Sequence, residues 1–175
     1  MPKFKADLSV SGIEKLKKEI INYRDNTLQQ KVNLLAERLA DKGVDIARAN
    51  VSKLDAIFTG ELLSSIQKRQ VSSGKSTAIF CVVTDSDHAA FVEFGTGQMG
   101  QEMPYPYPLP EGVTWDYNTG KTIFEVSPGQ YGWFYQRDGQ WYFTQGMPSR
   151  PFMYETTMEL YETVVQTARD VFKGR

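Results

Sequence analysis

The 175-residue chain has 41% hydrophobic residues and a formal net charge of −1. This length and hydrophobic content predict one globular domain with a sizeable core and argue against global disorder. The near-neutral charge excludes a bulk electrostatic attraction to DNA or to a membrane surface. Because Cys81 is the single cysteine, an internal disulfide is excluded and a reducing compartment is expected.

The N-terminal residues lack the apolar core segment of a secretory signal peptide. No apolar run approaches the roughly 18 residues needed to span a bilayer. We therefore expect neither a signal peptide nor a membrane-spanning helix.

Charge is distributed unevenly along the chain. Residues 1–60 contain eleven Lys/Arg and eight Asp/Glu, whereas residues 76–125 contain one Lys and seven Asp/Glu. A mildly basic N-terminal third and an acidic middle favour contacts between neighbouring copies in a polar assembly. A solvated surface accounts for the same distribution equally well.

Residues 1–55 are predicted to be a helical region with two helices in series. The first runs from about Ser11 to Tyr23, with Ser11 as the N-cap and apolar residues at three- and four-residue spacing. The Asp-Asn-Thr sequence at 25–27 predicts a break and a new cap. The second helix then continues to about Leu54.

The hydrophobic period changes after Gly60, where strand-like segments begin. Residues 66–71 and 78–83 predict a β-hairpin, and Cys81 lies in the more apolar of its two strands as a core residue. Aromatic segments at residues 113–117 and 122–126 predict a second hairpin. A third is predicted at residues 132–144, where an Asp-Gly pair supplies a strong turn signal.

The last element is predicted to be a helix, with Ser149 as its cap and Pro151 in its first turn. The order of elements predicts a single α+β domain over residues 1–175. We expect an antiparallel sheet of four to five strands, packed with the long N-terminal helical region and one C-terminal helix.

Residues 98–130 are the most separable segment and are predicted to be a proline- and aromatic-rich insertion loop. Four prolines between Gln98 and Glu111 alternate with tyrosine and leucine. Proline removes a backbone donor and clashes with the preceding turn, so this stretch is predicted to be extended and polyproline-like.

A catalytic interpretation rests on one cluster, which comprises Asp85, Asp87, His88 and Glu93. These side chains could form a hard-metal or glycosidase-like carboxylate site, which would suit a metal-dependent hydrolase. A loop of solvated caps before a strand is the simpler interpretation. His88 is the only histidine and no Gly-x-Ser-x-Gly elbow is present, which disfavours two-histidine metal sites and serine triads.

A small nucleic-acid-binding module is a third alternative. Lys15, Lys17 and Lys18 lie on the polar side of the first predicted helix, and Tyr105 and Tyr107 could stack on bases. The region richest in aromatic residues is also acidic, which opposes the approach of phosphate. We therefore expect no specific nucleic-acid binding.

Three sequence blocks resemble a widespread family of siphophage morphogenesis proteins, the minor tail or tail-completion proteins of the head–tail junction. They occur in the order of that family, and the resemblance covers roughly residues 10–172. The blocks are Thr-Gly-x-Leu-x-x-Ser-Ile at residues 59–66, His-Ala-x-Phe-Val-Glu-Phe-Gly-Thr at residues 88–96, and Ser-x-Pro-Phe-Met-x-x-Thr at residues 149–156. In the third block, Thr156 or Thr157 stands where the family often has alanine. The positions carried over are Thr59, Gly60, Leu62, Ser65, Ile66, His88, Ala89, Phe91, Val92, Glu93, Phe94, Gly95, Thr96, Gly97, Pro151 and Phe152. About 50 residues separate the second and third blocks here, whereas family members often have fewer.

The resemblance implies a structural, non-enzymatic protein without a cofactor, made in the cytoplasm of a bacterial host and located in the virion. It implies a ring, of six copies in the virion, between a connector or head-completion protein and a tail terminator or tail-tube protein. The extended segment Met103, Pro104, Tyr105, Pro106, Tyr107 and Pro108 is the candidate docking segment, since an extended chain docks with little loss of entropy. An ordinary surface loop is an equal alternative.

Elementary physics gives the second block a structural role. Phe91, Val92 and Phe94 are expected to lie in the core. Glu93 lies between two of these residues, so its carboxylate is a candidate for burial. A buried carboxylate needs a donor, and Arg150 or the backbone N–H groups near residues 95–97 are the candidates. We expect the block to be a signature of the fold, with a direct subunit contact through Glu93 as the alternative.

Overall fold

The computed structural model describes residues 3–5, 7–56, 60–73, 77–118 and 120–173. The α+β class is confirmed. The helices are α1 (Val10–Asn22), α2 (Gln29–Lys53), α3 (Glu61–Ser65), α4 (Ala89–Phe94), α5 (Gly97–Glu102) and α6 (Phe152–Lys173). The strands are β1 (Ile66–Ser73), β2 (Ala78–Thr84), β3 (Phe124–Ser127), β4 (Gln130–Arg137), β5 (Gln140–Thr144) and the short β6 (Gly146–Met147).

The predicted break between the two N-terminal helices is wrong. A π-helical segment, Tyr23–Leu28, joins α1 to α2 without interruption. Its polar side chains bond to one another instead of capping a new helix: Arg24 pairs with Asp25, and the Asn26 amide donates to Asn22 at 2.7 Å. The N-cap of α1 is also two residues earlier than predicted, because the Ser9 hydroxyl accepts the Gly12 N–H.

The strands form two antiparallel sheets where the sequence predicted one. The first contains β1 and β2, as the first predicted hairpin requires, and the second has the order β3-β4-β5. The turn between β4 and β5 is the predicted Asp-Gly pair. Asp138 and Gly139 both have positive φ, 51° and 77°, as a tight type I′ hairpin turn demands.

The predicted hairpin at residues 113–126 is wrong. Residues 113–117 form no strand, and β3 pairs with β4 instead. The Asp116 carboxylate accepts the Asn118 N–H, and the Asn118 side chain accepts the Gly120 N–H. Such local side-chain bonds compete with a strand ladder. The segment predicted as an insertion loop therefore contains α5 at one end and β3 at the other.

The described residues fall into two compact units, and the single-domain organisation stays a prediction. The first unit lies within residues 1–46, 67–83 and 157–175. In it, Lys68 of β1 pairs with Glu37 and Asp41 of α2. The Lys31 ammonium donates to the carbonyls of Val171 and Phe172, which satisfies the C-terminal end of α6.

The second unit lies within residues 47–66 and 84–156. Its core contains Val51, Ile66 and Phe152, all fully buried. Asn50 is buried beside them and donates to the Thr156 hydroxyl at 3.3 Å. This unit contains all the described residues of the three family-like blocks.

Two glycines of the second unit are needed for different reasons. One is needed for its backbone angle alone, the other for its backbone angle and for the lack of space around it. Gly139 and Gly146 both have positive φ, but a Cβ at Gly139 would meet open space, whereas one at Gly146 would overlap the carbonyl oxygen of Thr96. We expect Gly139→Ala to cost about 1–2 kcal/mol, the left-handed backbone penalty alone. Gly146→Ala should cost about 2–5 kcal/mol because overpacking adds to that penalty. Chemical denaturation measures both, and equal losses would contradict the close approach at Gly146.

Candidate functional site

The most distinctive site in the second unit is a buried carboxylate at the start of a helix. Glu93 of α4 is 7% exposed. Its Oε2 accepts the Met153 N–H at 2.8 Å, and its Oε1 accepts the Tyr154 N–H at 3.1 Å. Both oxygens are therefore engaged by the first turn of α6.

The sequence around the start of α6 explains why this carboxylate is needed. The first N–H groups of a helix have no partner within it, and the peptide dipoles make that end positive. Pro151, just before α6, has no side-chain oxygen that could serve as a cap. Glu93, almost 60 residues earlier in the chain, supplies the missing acceptors.

The predicted partners of Glu93 and the predicted cap of α6 are both wrong. The carboxylate bonds to backbone N–H groups of α6, not to Arg150 or to residues 95–97. The Ser149 hydroxyl points the other way and donates to the Glu93 carbonyl at 2.6 Å. The Arg150 N–H donates to the Val92 carbonyl at 2.8 Å, so residues 149–150 are fastened to the end of α4.

Burial raises the pKa of Glu93, and the N–H donors of Met153 and Tyr154 lower it only in part. The negative charge of Glu155 adds to the increase. The ionised form is thus penalised by lost hydration even though it is well bonded. This environment fits a carboxylate that holds structure from inside, which supports the fold-signature interpretation over a subunit contact.

Aromatic packing fixes α4 from its other side. The Trp115 indole N–H donates to the Gly95 carbonyl at 2.9 Å. Its ring lies 5.7 Å from that of Phe91 and 5.1 Å from that of Phe94. Val92 is buried, while the two phenylalanines are half-buried, so the predicted core role holds fully for Val92 and in part for its neighbours.

The Pro/Tyr segment, residues 103–108, packs through its tyrosines. The Tyr107 ring stacks on Tyr154 at 3.7 Å between centroids, and the Tyr105 ring contacts Phe94 at 5.0 Å. Burial, followed by the charge of Glu93, raises the pKa of Tyr105 to about 12. The backbone bends at Met103 and Tyr107, so the segment is not extended throughout as predicted. Its two tyrosine rings are packed, whereas Pro104, Pro106, Pro108 and Met103 are exposed.

The turn after α4 contains two glycines with positive φ. Gly95 and Gly97 have φ of 83° and 60°, and a Cβ at Gly97 would lie 2.6 Å from the Gln145 carbonyl oxygen. Between them, the buried Thr96 accepts the Met147 N–H on its hydroxyl at 3.2 Å. Only glycine fits both the backbone angle and the space at Gly97.

The first and third blocks also have structural roles. Thr59 lies outside the described residues. Gly60 is the N-cap residue of α3 and has a φ of 77°. Leu62 and Ile66 are buried, and the Ser65 hydroxyl lies 2.6 Å from that of Thr84. At the other end, Pro151 and Phe152 are both buried. Pro151 was expected in the first turn of the last helix but immediately precedes α6.

The candidate metal cluster is not assembled around Glu93. Asp85, Asp87 and His88 are exposed, whereas Glu93 is buried against α6. Ala89, beside His88, begins α4 and is half-buried. Among the described residues, no group of three His, Cys, Asp or Glu side chains is placed to hold a metal ion.

Two residues of this site were missed by sequence reasoning, Trp115 and Tyr154. A tryptophan within a polar, acidic segment was the available signal for Trp115, since such a ring needs both an apolar surface and an acceptor. No comparable signal marks Tyr154, which shares its helical face with other apolar residues.

Comparison of the chain with protein-family models, curated proteins and solved structures finds no match in any of the three. In the part of the chain that the structure describes, no helix combines the length and apolarity required to cross a bilayer.

Replacing Glu93 should separate its bonding role from its charge. We expect Glu93→Ala to lower the free energy of unfolding by about 1–3 kcal/mol, because two helix N–H groups lose their acceptors. Glu93→Gln should cost less, since the amide oxygen keeps one bond and no charge is buried. Chemical denaturation measures both losses. Glu155→Gln, also in the first turn of α6, is the matched control, and a loss as large as that of Glu93→Ala would contradict the assignment.

The raised pKa of Glu93 predicts a specific pH dependence of stability. An unfolded glutamate titrates near pH 4.3, and the folded pKa lies above it, so the folded state binds the proton more tightly. The contribution of Glu93 to the free energy of unfolding is fully present below the pKa of the unfolded state. It is lost as the pH rises through the pKa of the folded state. The melting temperature of the native protein relative to Glu93→Gln should fall across this window and then level off. A relative melting temperature that rises with pH would show that the pKa is lowered instead.

Proposed function

We propose that the chain is a structural protein of the head–tail junction of a tailed bacteriophage. In this proposal it forms a ring, of six copies in the virion, between a connector or head-completion protein and a tail terminator or tail-tube protein. It acts through protein–protein contacts and is not an enzyme, and neither membrane nor specific nucleic-acid binding is part of its role.

The proposal rests mainly on the way in which the residues of the second sequence block are packed and hydrogen-bonded inside the second unit. Its glutamate is bonded to the start of α6, its glycines form a close-packed turn, and Val92 is buried between two half-buried phenylalanines. A block whose residues have structural roles of this kind fits a family signature that specifies a fold. The three blocks in their family order then connect that fold to phage morphogenesis.

The Pro/Tyr segment supports a role in docking. Tyr105 and Tyr107 fasten it, while three prolines and Met103, which is 47% exposed, face outward. A segment that is already held in place by its tyrosine contacts loses little conformational entropy when a partner binds. Its exposed edge therefore suits contact with the neighbouring ring of the junction.

Disruption of the gene in the phage that encodes this chain tests the proposal. We expect negative-stain microscopy to show filled heads and separate tails, and the native gene supplied in trans should restore tailed particles. Tailed particles at the normal yield without the protein would refute the proposal.

The docking role is tested in the same complementation assay. A variant with Pro104, Pro106 and Pro108 all changed to serine keeps the tyrosine packing, so it should fold normally yet join heads to tails poorly. The matched control is Pro128→Ser, an exposed proline in the turn between β3 and β4, which should restore joining.

A further inference from the structure

A cavity of about 570 Å³ lies in the second unit, beside α5 and β4. Its lining includes three aromatic rings and three charged groups, which are those of Tyr117, Tyr131, Trp133, Glu102, Asp116 and Lys121. The two carboxylates outnumber the one ammonium. The aromatic faces and the excess negative charge both favour a cationic guest.

The chain itself holds the cavity wall in place. Gln98 donates to the Glu102 carboxylate and to the Gly129 carbonyl, each at 2.9 Å. Its Oε1 accepts the Tyr131 N–H and the Gln145 amide, also at 2.9 Å. Four bonds on one side chain fix α5 against the edge of β4, so the cavity is formed before a guest arrives.

Both carboxylates of the cavity retain capacity to accept further hydrogen bonds. Glu102 and Asp116 are exposed. Each carboxylate offers about four lone-pair sites, and the bonds from Gln98 and from the Asn118 N–H occupy only part of them. An incoming ammonium group can therefore be bonded as well as attracted.

A matching cation lies on α1, a helix with no buried residue. Its apolar stripe is uncovered: Val10 is 77% exposed and Ile13 is 53% exposed. Lys17, which the sequence was expected to place on the polar side of the helix, lies four residues after Ile13 and four before Ile21, so it shares their apolar face instead. Lys15 lies on the opposite side. An apolar stripe with one central ammonium is complementary to a cavity with aromatic walls and excess carboxylate.

We propose that α1 of one copy docks on the second unit of another copy, with the Lys17 ammonium in this cavity. The basic N-terminal third and the acidic middle of the chain have the charges that this contact needs. The contact joins different surfaces, so it repeats from copy to copy and closes into a ring when the rotation allows. It deepens the proposed function, on which its biological role rests.

Sedimentation velocity of the purified chain over a concentration series tests the contact. A single helix in a cavity is small compared with a standard interface of about 800 Å² per partner. We therefore expect weak, concentration-dependent association that declines at high salt. Lys17→Glu should weaken it about tenfold or more, and the Glu102→Gln/Asp116→Asn double variant should do the same. Lys15→Glu, with the same charge change on the opposite side, should have a much smaller effect.

Mixing the two disabled variants identifies the contact as one between copies. Lys17→Glu keeps an intact cavity, and the double variant keeps an intact Lys17, so the mixture contains one functional pair. We expect it to form one-to-one dimers and nothing larger. Circular dichroism and thermal melting of each variant confirm that it is folded.

Equal effects of Lys15→Glu and Lys17→Glu, or a native chain that stays monomeric throughout, would overturn this contact. The phage experiment above is independent of it. Normally tailed particles without the protein, together with Lys17-dependent association, would refute the head–tail role and leave the contact standing. Separate heads and tails without the protein, together with no effect of Lys17→Glu on association, would support the head–tail role and refute the contact.

Discussion

One charge placed at the start of one helix organises the second unit. The Glu93 carboxylate is removed from water, which is tolerable only because two N–H groups and the positive end of α6 meet it. In turn, α6 can begin directly after Pro151 because its first donors find acceptors elsewhere in the chain. The tyrosine that carries one of these donors, Tyr154, is also the ring on which the Pro/Tyr segment rests.

The Glu93 carboxylate is held in the interior of the second unit. A group that is buried and doubly bonded within its own chain has little left to offer a substrate or a partner. The surface that remains for partners is formed by other residues: the outward edge of the Pro/Tyr segment, the uncovered stripe of α1, and the cavity beside α5. These are the surfaces on which the proposed assembly role depends.

Local signals account for what the sequence predicted correctly. Helical periodicity located α2 and α6, and the Asp138-Gly139 turn located the β4–β5 hairpin, since each depends on residues close together in the chain. The donors for Glu93 could not be found in this way because they lie about 60 residues away. Trp115 shows the same limit, since the Gly95 carbonyl that accepts its indole N–H lies 20 residues earlier in the chain.

The π-helical segment between α1 and α2 sets the rotational phase of the N-terminal helix. A π-turn corresponds to one residue inserted into an α-helix, and each residue advances the helix by about 100°. Loss of one residue from Tyr23–Leu28 would return the segment to regular α-helix and swing the face that carries Ile13 and Lys17 by about that angle. The direction in which the apolar stripe of α1 faces is thus determined by the length of the six-residue segment that follows α1.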